Sequence, residues 1–455
     1  MKFKIIIPFL FLSLFLNAQN NQDSVTLKRI FDEELGHGQS HENLRELCKG
    51  YGKRLSGSPI AAGAVEWSFK KMNSQGFDTV FKQEVMVPHW VRGKKEIASY
   101  FINSASKIRS VSVCALGGSI GGKIHGNVIE VKSFEQLKAL GKDNVKGHIV
   151  FFNRPMDDTK INTFAAYGGA IDQREFGANE ASIAGATAVI VRSMSLGMNP
   201  YPHTGMMMSY TDSVAKIPAC AISTEDAEKL SKDLEKSPML SFSLEMHCQW
   251  LPDTLSHNVI CELRGTEHPQ EIIVVGGHLD AWDMAEGAHD DGAGVVQSLE
   301  VLRLMKKLNI RPKHTVRCVF FMNEENGMRG GLKYAELARL KKEKHLAALE
   351  SDEGGFTPRG FSFEATGDTL KRLYAFRNLF APYNMDCFHD GGGGVDIGPL
   401  KDLGAILMDL NPDTQRYFDF HHAATDVFEG VNKRELEMGA AGITGIIYLI
   451  DKYGL

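Results

Sequence analysis

Histidines and carboxylates recur in short strings through the C-terminal half of the chain. They are Gly277-His278-Leu279-Asp280, Asp290-Asp291-Gly292, Glu324-Glu325-Asn326-Gly327, Ser351-Asp352 and His421-His422, with Asp426 four residues beyond His422. A lone pair of acids reads as a solvated loop. Several such strings, each following an apolar run, read as a metal site. Imidazole and carboxylate donors without thiolates suit zinc in a catalytic site. Five such donors exceed the needs of one ion. Two zinc ions about 3.5 to 4 Å apart, sharing a carboxylate and a water, would use them all. In extended backbone His278 and Asp280 point to the same side, so Asp280 is expected to accept the second N–H of the imidazole and orient it. Glu324 and Glu325 point apart, which lets one hold metal while its neighbour acts as a general base.

Residues so far apart must be brought together by the elements that carry them. Glu271 to Val275, His314 to Phe321, Leu346 to Glu350 and Gly404 to Leu410 are nearly continuous apolar strands. Helices are expected near Gly294 to Leu308, Gly331 to Lys341, Leu370 to Leu379 and Arg434 to Lys452. Such strands imply a sheet covered on both faces and largely parallel, a three-layer α/β domain. Its chemistry belongs at the carboxyl ends of the strands, where these strings fall. Residues 117–250 have their own strand and helix rhythm and read as an inserted domain. The expected organisation is a leader at 1–18, a first catalytic part at 19–116, the insert at 117–250, and a second catalytic part with the metal site at 251–455.

The chain has 455 residues, 43% hydrophobic and 24% charged, the balance of a folded globular protein. Its 51 basic and 56 acidic residues give a net charge of -5, and no basic run marks a nucleic-acid partner. Lys2 and Lys4, the apolar run Ile5 to Leu16 and then Asn17-Ala18-Gln19 follow the order of an export signal, with cleavage expected near Ala18 or Gln19. That run is shorter than the roughly 20 residues a membrane span needs, so no stable insertion is expected, and the destination is periplasmic or secreted. Seven scattered cysteines contain no C-x-x-C pair.

Together the strings resemble the co-catalytic zinc peptidases of the aminopeptidase and glutamate carboxypeptidase II family. Gly276 to Asp283, Glu350-Ser351-Asp352 and the paired His421-His422 resemble its carboxypeptidase branch. Ala178 to Gly185 and Ile217 to Ser223 resemble a protease-associated domain, and the fold implied is phosphorylase/hydrolase-like. The resemblance implies that Asp290 bridges two zinc ions, with His278 and Asp352 completing one and Glu325 and His422 the other. It makes Glu324 the base that takes a proton from water and returns it to the leaving amine. His421 stands where many relatives carry a tyrosine that stabilises the oxyanion. A cis peptide is implied between Asp290 and Asp291. The implied substrates are dipeptides or small peptides with a free C-terminus, and the implied assembly is a homodimer whose insert helps to cover the cleft. Alternatives are an aminopeptidase of the same family, a single-zinc glutaminyl cyclase and a non-catalytic scaffold.

Other signals carry less. Gly117-Gly118-Ser119-Ile120-Gly121 spells a serine nucleophile elbow, but no helix is expected behind it. His41-Glu42 begins a zincin string that Arg45 breaks. The Gly391 to Gly394 run is expected to be a loop at the rim of the site.

Overall fold

The computed structural model describes residues 8–102, 107–238 and 240–455, with side chains from residue 22 onward. The expected leader begins outside the described residues, and from Pro8 the chain is in helix α1 (Pro8–His37). Helices α2 (Ser40–Tyr51) and α3 (Pro59–Ser74) follow. The start of α3 is set by Ser58, whose side chain accepts the Ala61 amide, and by a proline at the first helical position.

Sixteen strands are built by the described residues. In chain order they are β1 (Thr79–Val91), β2 (Ile97–Ile102), β3 (Lys107–Val111), β4 (Val113–Ala115), β5 (Gly122–Val131), β6 (Ile149–Phe152), β7 (Ala188–Arg192) and β8 (Ala219–Ile222). The second half adds β9 (Ser241–Met246), β10 (Gln249–Leu263), β11 (His268–His278), β12 (His314–Phe321), β13 (Lys344–Glu350), β14 (Pro358–Glu364), β15 (Cys387–Asp390) and β16 (Ile406–Pro412). They form two eight-stranded sheets, one ordered β1-β10-β12-β11-β13-β16-β14-β15 and the other β3-β2-β9-β5-β6-β7-β8-β4.

The centre of the first sheet, β12-β11-β13-β16, is parallel throughout. Its flanks are not. β10 runs antiparallel to both β1 and β12, and β14 runs antiparallel to β16. Only the middle of this sheet is therefore the parallel layer expected from sequence. Alternate residues of one strand go to opposite faces, and the packing follows that period. Helix α4 (Thr224–Lys236) packs on the second sheet through Ala227, Leu230 and Leu234. Val316, Cys318 and Phe320 of β12 join a core with helices α5 (Ala293–Lys307) and α7 (Lys433–Tyr453), whereas Val319 and Phe321 pack with Tyr334 and Ala335 of helix α6 (Arg329–Lys341). Helices on both faces make the three layers.

The second sheet does not begin at residue 117. β2, β3 and β4 belong to it, so the chain enters this layer before residue 97 and leaves after β9. Glu96 marks the crossing, because its buried carboxylate accepts the Ala115 amide at 2.8 Å and pairs with Arg92. Ser119 is no nucleophile. Its hydroxyl accepts the Ala219 amide at 2.9 Å and donates to the Ile120 carbonyl, in the core of this sheet.

Candidate metal centre and active site

The site lies at the carboxyl edge of the parallel strands. β11 ends at His278, β12 runs into Glu324 and Glu325, and β13 runs into Asp352. Asp290 sits in the turn that opens α5, and the Asp290–Asp291 peptide is cis. His421 and His422 follow the short 3-10 helix Thr414–Asp419, and His422 has a φ of +59°, unusual for a residue with a side chain.

These groups converge on Asp290. Its Oδ1 is 3.2 Å from His278 Nε2, which is in turn 3.3 Å from Asp352 Oδ1. Its Oδ2 is 3.4 Å from His422 Nε2, which lies 3.2 Å from Glu325 Oε2, and 3.9 Å from His421 Nε2. Two sets of potential metal donors thus share one buried carboxylate, His278-Asp290-Asp352 on one side and Asp290-His421-His422 on the other. His278 Nε2, Asp290 Oδ2 and Asp352 Oδ1 are buried without a hydrogen-bond partner. Buried polar atoms are ordinarily satisfied, so orphans gathered on both sides of Asp290 fit cations held between them. Donors of this type without thiolate fit zinc.

The electrostatics agree. Burial raises the Glu324 carboxyl well above its usual range, and the neighbouring Asp352, Asp396 and Asp290 raise it further. Burial and then Asp290 do the same to Glu325. Burial pushes the His422 imidazole well down, and His421 adds to it. Among these carboxyls only Asp290 is held low, because His278, His422 and His421 together outweigh its burial. Carboxyls crowded out of water with so few cations around them call for divalent charge.

Residues outside the expected set hold this cluster in place. Asp291 Oδ2 accepts the His278 amide at 3.0 Å while its Oδ1 accepts the Gly294 amide at 2.8 Å, tying the end of β11 to the start of α5. Asp426 accepts the His289 and Asp290 amides at 2.7 and 3.2 Å. Arg54, fully buried, donates to the carbonyls of Leu279, Glu286 and Gly287 and so gathers the loop between His278 and Asp290. Asp291 and Asp426 stand inside the quoted strings. Arg54 carries no signal beyond a charged residue in a turn.

Asp280 differs from expectation. The His278 Nδ1 faces the Asp280 backbone carbonyl at 3.0 Å, and the Asp280 carboxylate is 3.8 Å away. That carboxylate instead accepts the amides of Asn323 and Glu324, because the chain bends after His278 rather than continuing extended. His421 lies beside Asp290 with its ring stacked on that of His422, centroids 3.6 Å apart. The glycine run is bound rather than free at the rim, since Gly391 donates to the Phe363 carbonyl and Gly393 to Asp409.

A model of peptidase family M28 matches residues 258–445. Carboxypeptidase Q of Mus musculus is 32% identical over 415 residues, which covers 90% of this chain and 85% of that protein. Carboxypeptidase Q of Homo sapiens is also 32% identical over the same length. The chain belongs to peptidase family M28. As an M28 member it is a zinc metallopeptidase. A solved peptidase M28 precursor from Shewanella amazonensis is 28% identical, with a TM-score of 0.91 over 96% of this chain and 98% of that one. The zinc aminopeptidase of Bacillus subtilis shares the M28 fold at 18% identity, with a TM-score of 0.65 over 90% of this chain and 94% of its own.

Proposed function

We propose that the chain is an exported di-zinc exopeptidase that hydrolyses dipeptides or small peptides next to a free C-terminus. The observation that carries this reading is the buried Asp290, whose two oxygens face separate donor sets. In this assignment His278 and Asp352 hold one zinc, Glu325 and His422 hold the other, and Asp290 holds both. Bound zinc would acidify water and polarise the scissile carbonyl. The protein's own part is proton handling. Glu324 makes no side-chain hydrogen bond among the described residues, lies three residues past the end of β12, and sits among carboxylates that favour its protonated form, so a proton taken from water is retained for the leaving amine. His421, buried beside Asp290, is neutral: burial and the nearby Arg174 push its pKa down to about 3, so it offers a hydrogen bond rather than a charge to the developing oxyanion.

The second sheet is read as a protease-associated domain, spanning from about residue 92 to about 248. It stands over the site, where His203 Nδ1 is 2.8 Å from the His421 carbonyl and the Thr204 amide donates to the His422 carbonyl. Export rests on the N-terminal residue order, and no helix among the described residues is long and apolar enough to cross a membrane. The homodimer remains part of this proposal through the family resemblance. Metal counting on the purified protein, with a panel of dipeptides and their N-blocked and C-blocked analogues, tests the reading. Two zincs per chain and cleavage that requires a free C-terminus are expected. One zinc, or cleavage that requires a free N-terminus, overturns it in favour of the cyclase-like or aminopeptidase alternative.

A further inference from the structure

His278 and His422 are each oriented through the second ring nitrogen, and the two draw on different parts of the molecule. His278 Nδ1 faces the carbonyl of Asp280, in its own loop. His422 Nδ1 faces the carbonyl of Thr204, 3.3 Å away and belonging to the unit of the second sheet. A carbonyl can only accept, so each ring carries its proton on Nδ1 and leaves the Nε2 lone pair free for a metal. The tie to Thr204 is double, because the Thr204 amide donates to the His422 carbonyl at 2.9 Å.

Thr204 is held in turn by Arg92. This residue lies just past β1, where the chain leaves the first sheet, and its side chain is 10% exposed. Its Nε donates to the two oxygens of Asp283 at 3.0 and 2.9 Å, and its Nη2 to one of them at 2.6 Å. Its Nη1 donates to the Ala115 carbonyl at 2.6 Å, which also accepts the Thr204 hydroxyl at 2.9 Å, and Nη2 donates to that hydroxyl oxygen at 3.4 Å. Asp283 belongs to the loop that follows His278. The amide of the residue before it, Trp282, donates to Glu325 Oε1 at 3.1 Å. Two short paths therefore start at Arg92, one through Asp283 and Trp282 to Glu325 and one through Thr204 to His422. Both end in the same donor set, since Glu325 Oε2 and His422 Nε2 are 3.2 Å apart.

We propose that Arg92 is a positioning residue for one of the two zinc sites. By latching the second-sheet unit to Asp283 it sets the His422 ring and the Glu325 carboxylate, so that this zinc is held tightly only while the two units are docked. The site of His278 and Asp352 does not share the dependence, because the group that orients His278 comes from its own loop. This inference rests on the di-zinc reading above.

The test measures zinc affinity by competition with a chelating dye, without turnover, in two backgrounds that each keep one site. In His278→Ala, where the site of Glu325 and His422 remains, adding Arg92→Met should weaken zinc by about 10 to 100-fold. In His422→Ala, where the other site remains, the same change should stay within about threefold. Equal weakening in both backgrounds, or none in the first, would show a merely structural cation and overturn the proposal. Melting curves check folding. Should Arg92→Met not fold, Thr204→Val keeps the backbone contacts and removes the hydroxyl that Arg92 holds. A loss of about three- to tenfold confined to the first background then supports the latch, and an unchanged affinity overturns it. Fewer than two zincs on the wild type, or none on either background, would sink the di-zinc reading instead. Hydrogen exchange on the metal-free protein then decides the latch. Peptides covering His203 to Gly205 and His421 to Ala423 should exchange at least about tenfold faster in Arg92→Met, with β11 and β12 unchanged, and wild-type exchange in those peptides would overturn it.

Discussion

The carboxylate of Asp280 accepts the backbone amide of Glu324 at 3.1 Å, and that of Asn323 at 2.7 Å. The Asp280 side chain therefore fixes the loop that carries Glu324, the proposed general base, while the His278 imidazole is oriented by the backbone carbonyl of residue 280. Glu324 and His278, the proposed base and metal ligand, are registered to each other through one residue, using two different groups of it.

Asp280→Asn separates these two roles. The backbone carbonyl remains, so the orientation of His278 and the zinc content should be preserved. The amide places a donor where the carboxylate accepted and loosens the Glu324 loop. Turnover of a dipeptide should fall by about 10 to 100-fold. Wild-type turnover would remove Asp280 from the machinery, and lost zinc would restore it to the side of His278.

Replacing Glu324 by Gln keeps the size of the side chain and removes its ability to accept a proton. Turnover should fall by about two to four decades with metal content intact. Turnover within a few-fold of wild type would mean that another group moves the proton.

Asp290→Ala removes the carboxylate that both donor sets share. Both zinc sites should weaken together, and activity should vanish at ordinary zinc concentrations. Elemental analysis after dialysis decides it, because two ions retained per chain would contradict a shared ligand.

The parts of this site that were legible in the sequence are those where one residue type has one use. His278, Glu324, Glu325 and Asp352 each follow an apolar strand that ends at the same sheet edge, Asp290 and His422 reach it from a turn and a short helix, and β12 spans His314 to Phe321, the limits that its apolar residues suggest. What was hidden acts across the chain and through the backbone. Arg54 meets carbonyls more than 200 residues away, and nothing local to Arg54-Leu55-Ser56 records that. Arg174 lies in a four-residue helix of the second sheet's unit, and only the packing of that unit over His421 and His422 brings its charge beside them. β14 and β15 were missed for another reason. Gly360 in β14 approaches the Cys387 backbone closely, and the polar ends of both strands interrupt the apolar pattern that marks a buried strand.

A buried histidine remote from the site couples folding to pH. His345 Nε2 is 2.9 Å from the Tyr334 hydroxyl, which accepts a hydrogen bond from Arg317 Nη1 at 2.8 Å. Since Arg317 can only donate, the tyrosine proton goes to His345, which must be neutral at Nε2. Burial, and then the Arg317 charge, push the imidazole pKa down to about 4. In the unfolded chain it is about 6.5. Between these values the unfolded state binds more protons, so stability rises with pH through the window and is lost as the pH falls from about 6.5 towards 4. At pH 5 the loss from this one residue would reach up to about 2 kcal/mol. His345→Gln can still accept the tyrosine proton and does not titrate. Urea unfolding of wild type and variant at pH 7 and pH 5 should show the variant losing less stability on acidification by up to that amount. Parallel losses in the two proteins would mean that His345 is not the group that responds.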